Sequence, residues 1–120
     1  MARYTAGMKK TLLVSWQREY ERLRQSLAHI GYISQGSVVD RSRLKTPRSG
    51  YQWTRKLSRK TVTVALTQQQ FQALHQAIRN RRTLAKTLQR MEELSRRILF
   101  ASVPDTRRRT HLRPKALRAN

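Results

Sequence analysis

Between residues 41 and 60 stand eight lysines and arginines, Arg41, Arg43, Lys45, Arg48, Arg55, Lys56, Arg59 and Lys60, with Tyr51 and Trp53 among them and Asp40 as the nearby acid. Cations at that density suit one kind of chemistry, the neutralisation of a polyanion, and interleaved rings can add stacking on bases. A second set, Arg79, Arg82, Lys86 and Arg90, recurs at steps of three, four and four, and no acid occurs from Arg79 until Glu92. That spacing lines one side of a helix. A solvated helix face ordinarily mixes signs, so a face of one sign reads as a phosphate contact. A third set, Arg107, Arg108 and Arg109, belongs to an arginine-rich end that suits a groove-binding arm and a nonspecific anchor equally.

Catalytic chemistry finds little to work with. His29, His75 and His111 lie in separate segments without a carboxylate at ligand spacing, and the chain has no cysteine and no Gly-rich phosphate loop. Glu19 with Glu21, and Glu92 with Glu93, stand on arginine-studded helices where ion pairing explains them better than acid–base work. Asp40 and Asp105 are too isolated to converge on a catalytic metal. The expectation is a protein that is not an enzyme and takes no metal or cofactor.

The elements that must position the cations follow from periodicity. Trp16, Tyr20, Leu23, Leu27 and Ile30 form one helical stripe from about residue 8 to Ile30, with Gly31 placed for a left-handed stop. Val62, Val64 and Leu66 alternate along a β-branched run, and a strand from Tyr51 would pair with it through a turn at Ser58 to Lys60. Thr67 and Gln70 have the spacing of a capping box, which starts a second helix running to about Phe100. Its apolar residues Leu84, Leu88, Met91, Leu94, Ile98 and Leu99 would pack on the first helix or on a second copy of the chain.

The predicted fold is therefore α+β: an N-terminal helix, a small three-stranded antiparallel sheet or hairpin, a long C-terminal helix and a basic flexible tail. Residues 1–7 are expected to be flexible, 8–101 to form one domain and 102–120 to be a disordered tail. On strand alternation Tyr51, Trp53, Arg55 and Leu57 share one face and Gln52, Thr54 and Lys56 the other, so Tyr51 and Trp53 are either core or stacking surfaces.

Charge bounds the partner. The 120 residues carry 27 Lys+Arg against 6 Asp+Glu, a formal +21, while 38% hydrophobic residues allow a modest core and no deep cavity. Such a chain repels itself and calls for dense counter-charge, which DNA and RNA both supply. Neutralising about six to ten phosphates would weaken binding by roughly three to five decades between about 50 and 200 mM salt. No run is long enough to span a membrane and the start lacks an apolar signal core, so a cytoplasmic place, nucleoid-associated in a bacterium, is expected.

The order Gly36-Ser37-Val38-Val39, Gly50-Tyr51-Gln52-Trp53-Thr54-Arg55, Lys60-Thr61-Val62-Thr63-Val64 and Ile78-Arg79-Asn80-Arg81-Arg82-Thr83-Leu84 resembles a family of short bacterial proteins of unknown function associated with transposases and mobile elements. The resemblance spans about Leu23 to Leu99 and implies a mobile-element setting rather than a mechanism. Many members carry cysteines and a histidine where this chain has Leu44-Lys45-Thr46-Pro47-Arg48-Ser49, so no metal role carries over. Two functions follow as expectations. The first is a non-catalytic nucleic-acid-binding accessory of a transposase, recombinase or RNA-guided nuclease. The second is a helical adaptor that docks on an acidic protein or self-associates as a homodimer through its second helix, with Leu88, Met91 and Leu94 as the docking side chains.

Overall fold

The computed structural model describes residues 6–103, with side chains from residue 10 onward. The expected basic tail from residue 104, including Arg107, Arg108 and Arg109, and residues 1–5 of the expected flexible start lie outside the described residues. The chain is α+β: helix α1 (Ala6–Ser26), a 3-10 turn (Leu27–His29), strand β1 (Ser37–Asp40), a 3-10 turn (Arg41–Arg43), β2 (Tyr51–Leu57), β3 (Lys60–Leu66) and α2 (Gln68–Ser102). These elements form two compact units. One is Ile30–Leu84, and the other joins α1 and its 3-10 turn to α2 from Ala85 onward.

In the Ile30–Leu84 unit the strands run antiparallel in the order β1-β2-β3. Tyr51 stands opposite Asp40 and Leu66, Trp53 opposite Val38 and Val64, and Arg55 opposite Val62. Opposed residues point the same way, so Val38, Tyr51, Trp53, Val62, Val64 and Leu66 share a face while Gln52, Thr54, Lys56, Thr61 and Thr63 share the other. The apolar face meets α2, where the rings of Tyr51 and Phe71 stack at 4.5 Å between centroids and Ala77 and Ile78 are buried. The expected capping box closes α2: the Gln70 amide donates to the Thr67 hydroxyl at 3.1 Å, and the Thr67 amide donates to the Gln70 side-chain oxygen at 2.9 Å. With no Gly or Pro among Arg79 to Thr83, the helix continues unbroken.

The β2–β3 turn closes one residue earlier than its composition suggests. Ser58 and Arg59 both have positive φ, 51° and 67°, and Lys60 already pairs with Leu57 in the ladder. Two such residues make a type I′ turn, whose twist matches that of the flanking strands, but neither side chain is at ease in the left-handed region. Replacing Ser58 by Asn together with Arg59 by Gly should raise stability by about 1–2 kcal/mol, read as a higher urea midpoint with unchanged slope. An unchanged midpoint would show that the turn carries no such strain.

Gly31 does not stop α1 in the left-handed conformation. The helix ends at Ser26 and tightens into the 3-10 turn, an alternative way of using the last carbonyls, and the Ser26 hydroxyl donates to the Leu23 carbonyl at 2.6 Å. Gly31 answers to space instead, since a Cβ there would sit 3.1 Å from the side-chain nitrogen of Asn80.

In the other unit α1 packs on α2, as the apolar stripe of α2 suggested. Met91 and Leu94 are buried, Leu94 completely. Arg90 grips Glu19 with two hydrogen bonds, Nε to Oε2 at 2.6 Å and Nη2 to Oε1 at 2.9 Å, and also reaches Glu93 at 3.1 Å. Arg97 pairs with Glu93 at 3.0 Å and lies 5.9 Å from the centroid of the Trp16 ring. The hydrogen bond from Arg90 holds the Glu19 carboxyl below its ordinary 4.5. A carboxyl depressed by folding stabilises the folded state above its unfolded pKa, and that contribution disappears as pH falls through the folded value. Stability should therefore drop below about pH 4.5, and Glu19→Gln should flatten the acid limb while removing about 1 kcal/mol at neutral pH, a figure kept small because Arg90 is partly exposed. Thermal melts of both forms between about pH 3 and 7 check this; equal acid slopes would contradict it.

Candidate nucleic-acid interface

Charge is divided unequally between the two units. Ile30–Leu84 holds eleven lysines and arginines with Asp40 as its single acid, whereas Glu19, Glu21, Glu92 and Glu93 belong to the α1–α2 unit. Among the described residues every arginine salt bridge falls in the α1–α2 unit: Arg24 to Glu21, Arg90 to Glu19 and Glu93, and Arg97 to Glu93. Asp40 is committed elsewhere. Its Oδ1 accepts from the Ser42 hydroxyl at 2.7 Å and the Ser42 amide at 3.0 Å, and these bonds hold its carboxyl below the usual value. The acid therefore stays ionised and serves as the cap of the 3-10 turn.

That cap opens a loop folded back on the backbone of one residue, Arg41. The Arg41 carbonyl accepts from the amides of Leu44 at 3.2 Å and Arg48 at 3.1 Å, and the Arg41 amide donates to the Gly50 carbonyl at 2.9 Å. Gly50, at φ +96°, supplies the left-handed residue that returns the chain to β2. Arg43, Lys45 and Arg48 extend from this closed loop as exposed side chains, while Arg41 is half-buried. At the other end of β2, Lys56, Arg59 and Lys60 are exposed around the hairpin turn. Seven residues of β2 at about 3.3 Å each put the two groups about 20 Å apart. The basic run that is continuous in sequence is thus two clusters at opposite ends of the sheet. Arg55 lies between them, half-buried, with its guanidinium 5.0 Å over the Trp53 ring.

The helical file is divided too. Arg79 and Arg82 are exposed on the Ile30–Leu84 part of α2, with Arg81 exposed beside them, while Lys86 and Arg90 belong to the other unit. Lys86 is exposed, but Arg90 is engaged by two carboxylates. Arg81 belongs to the same basic run but falls off the three-four-four spacing.

Of the two readings open for Tyr51 and Trp53, core or stacking surface, the structure takes the first for both. Tyr51 packs on Phe71, and Trp53, half-buried, donates from Nε1 to the Gln35 carbonyl at 2.9 Å beneath Arg55. Among the described residues the most exposed ring is Tyr32, at 94%. Its only sequence signal is an aromatic residue just past the first helix's stripe. Among the described residues no three His, Cys, Asp or Glu come together in a way that could hold a metal, and no helix is long and apolar enough to cross a membrane. Comparison of the chain with protein-family models, curated proteins and solved structures gives no match in any of the three.

Proposed function

We propose that the Ile30–Leu84 unit binds nucleic acid without chemistry, gripping phosphates through Arg43, Lys45 and Arg48 at one end of its sheet and Lys56, Arg59 and Lys60 at the other. The observation that carries this reading is the scarcity of internal counter-charge in that unit: eleven cations accompany one carboxylate, which bonds Ser42 and feels the charge of Arg43 alone among them. Cations held apart from acids repel one another, and an external polyanion relieves that repulsion. The two clusters, about 20 Å apart, span about six phosphates of one strand at 3.4 Å per nucleotide. Between them lies the polar face with Gln52, Thr54, Thr61 and Thr63, which supplies hydroxyl and amide contacts to sugar and phosphate rather than a base-reading pattern. Arg79, Arg81 and Arg82 add charge from α2. Arg90 is better assigned to holding α1 on α2. The resemblance of the Tyr51–Thr54 and Lys60–Val64 segments to mobile-element proteins supports a role as accessory to a transposase, recombinase or RNA-guided nuclease in the cytoplasm or nucleoid.

The test is direct. Purified protein at low ionic strength is expected to retain duplex DNA, single strands or structured RNA, with no cleavage of any of them. Failure to retain all three would overturn the reading.

A second reading concerns the α1–α2 unit, where Leu99, 57% exposed, lines a shallow groove with Gln17, Tyr20, Ser95 and Ile98, and Leu88, 42% exposed, lines an adjoining one with Tyr20, Met91 and Ser95. That surface favours a protein partner or a second copy. Met91 and Leu94, which the sequence placed on the docking face with Leu88, are core instead, so changing them would unfold the unit rather than test docking. Leu88→Ser with Leu99→Ser is the informative variant, expected to reduce self-association in sedimentation while leaving nucleic-acid retention intact.

A further inference from the structure

We propose that Tyr32 is a stacking platform for an unpaired base, which makes single-stranded DNA or RNA a ligand of the Ile30–Leu84 unit. The proposal rests on the nucleic-acid reading above and names the form of the ligand. Tyr32 is 94% exposed, and its neighbour Ile33 is 51% exposed. An aromatic ring left in water retains its whole capacity for stacking, and a base offers a flat partner whatever its identity.

The backbone beneath the ring is pinned although the ring is not. The Asn80 amide nitrogen donates to the Tyr32 carbonyl at 2.9 Å, and the Gln76 side chain donates to Asn80 Oδ1 at 2.8 Å, which fixes the orientation of that amide. Two residues on, the Ser34 amide donates to the Ala77 carbonyl at 3.2 Å. Gly31 lets the segment approach, since any side chain there would press on Asn80. A fixed main chain carrying a side chain with two torsions loses little entropy when the ring is covered.

Charge selects the partner. Asn80 lies between Arg79 and Arg81, with Arg82 next, and all three arginines are exposed. The arginines on either side of Asn80 favour negative charge along this part of the helix, and a nucleotide strand supplies both that charge and a flat face for the ring in each repeat. In a duplex the bases are stacked on one another, so an outlying ring reaches only an unpaired one. Tyr51 and Trp53 do not compete for this role, being packed within the unit.

Fluorescence anisotropy of the full chain, with a labelled oligothymidine strand and with a duplex of equal length at one fixed low salt, tests this. Tyr32→Ala and Tyr32→Leu should each weaken single-strand binding by on the order of tenfold, Tyr32→Phe should leave it intact, and duplex affinity should not change in any variant. Unchanged single-strand affinity in Tyr32→Ala, equal losses on both ligands, or full single-strand affinity in Tyr32→Leu would each overturn the assignment while leaving the phosphate-binding reading in place. A protein partner lost from Tyr32→Ala with strand affinity unaltered would also overturn it. A wild-type chain that bound neither ligand would remove the parent reading.

Discussion

Replacing Arg43, Lys45, Arg48 and Arg59 together by alanine should weaken nucleic-acid binding by roughly three decades near 0.1 M salt, at about 1 kcal/mol for each phosphate contact and about 1.4 kcal/mol per decade. All four side chains are exposed, and the loop's closure depends on the peptide groups of Arg41 and Gly50 rather than on side chains of the substituted residues. Folding should therefore survive. The loss should be similar across sequences, because contacts to phosphate carry no base identity, and the dependence on salt should become shallower. Electrophoretic mobility shifts with two unrelated duplexes would check both points. Affinity within about twofold of the unaltered chain would mean that these side chains do not touch phosphate.

Gly36→Ala should destabilise the sheet-bearing unit by about 3 kcal/mol, combining a left-handed non-glycine residue with the loss of a hydrogen bond. Gly36 has φ +102°, and a Cβ there would stand 2.5 Å from Trp53 Nε1 and 2.6 Å from the Thr54 carbonyl. Neither neighbour can yield cheaply: Thr54 contributes backbone in the middle of β2, and moving Trp53 breaks its bond to the Gln35 carbonyl. Gly50→Ala is the control. Its φ is +96°, but the nearest atom to the added carbon is Arg41 Nη1 at 3.7 Å, so it should cost only the backbone term, about 1 kcal/mol. Urea unfolding that gave equal losses for the two variants would show that the close approach to Trp53 is not what requires glycine at position 36.

Local signals in the chain predicted the elements well where a short stretch of sequence decides the outcome. Thr67 and Gln70 bond each other across one turn, and the alternation of Thr61 to Leu66 needs only a sheet with one covered face, so both could be read directly. The site depended on contacts between distant residues. Whether Tyr51 and Trp53 face water turns on Phe71 and Gln35, which no spacing connects to them. The basic run from Arg41 to Lys60 looked like one patch because sequence distance is blind to β2, which carries the chain from one end of the sheet to the other. Arg90 matched the period of Arg79, Arg82 and Lys86, but its partner Glu19 lies 71 residues away. Ser58 and Arg59 adopt turn angles that their side chains do not favour, and the pairing of Leu57 with Lys60 imposes them.

The claim that the uncompensated cations of Ile30–Leu84 exist to hold phosphate is tested most directly by the slope of log affinity against log salt concentration. Engagement of six of its exposed lysines and arginines corresponds to a slope of about −5 on duplex DNA and about −4 on a single strand. Binding that held steady across the salt series, or a slope shallower than about −1, would contradict it.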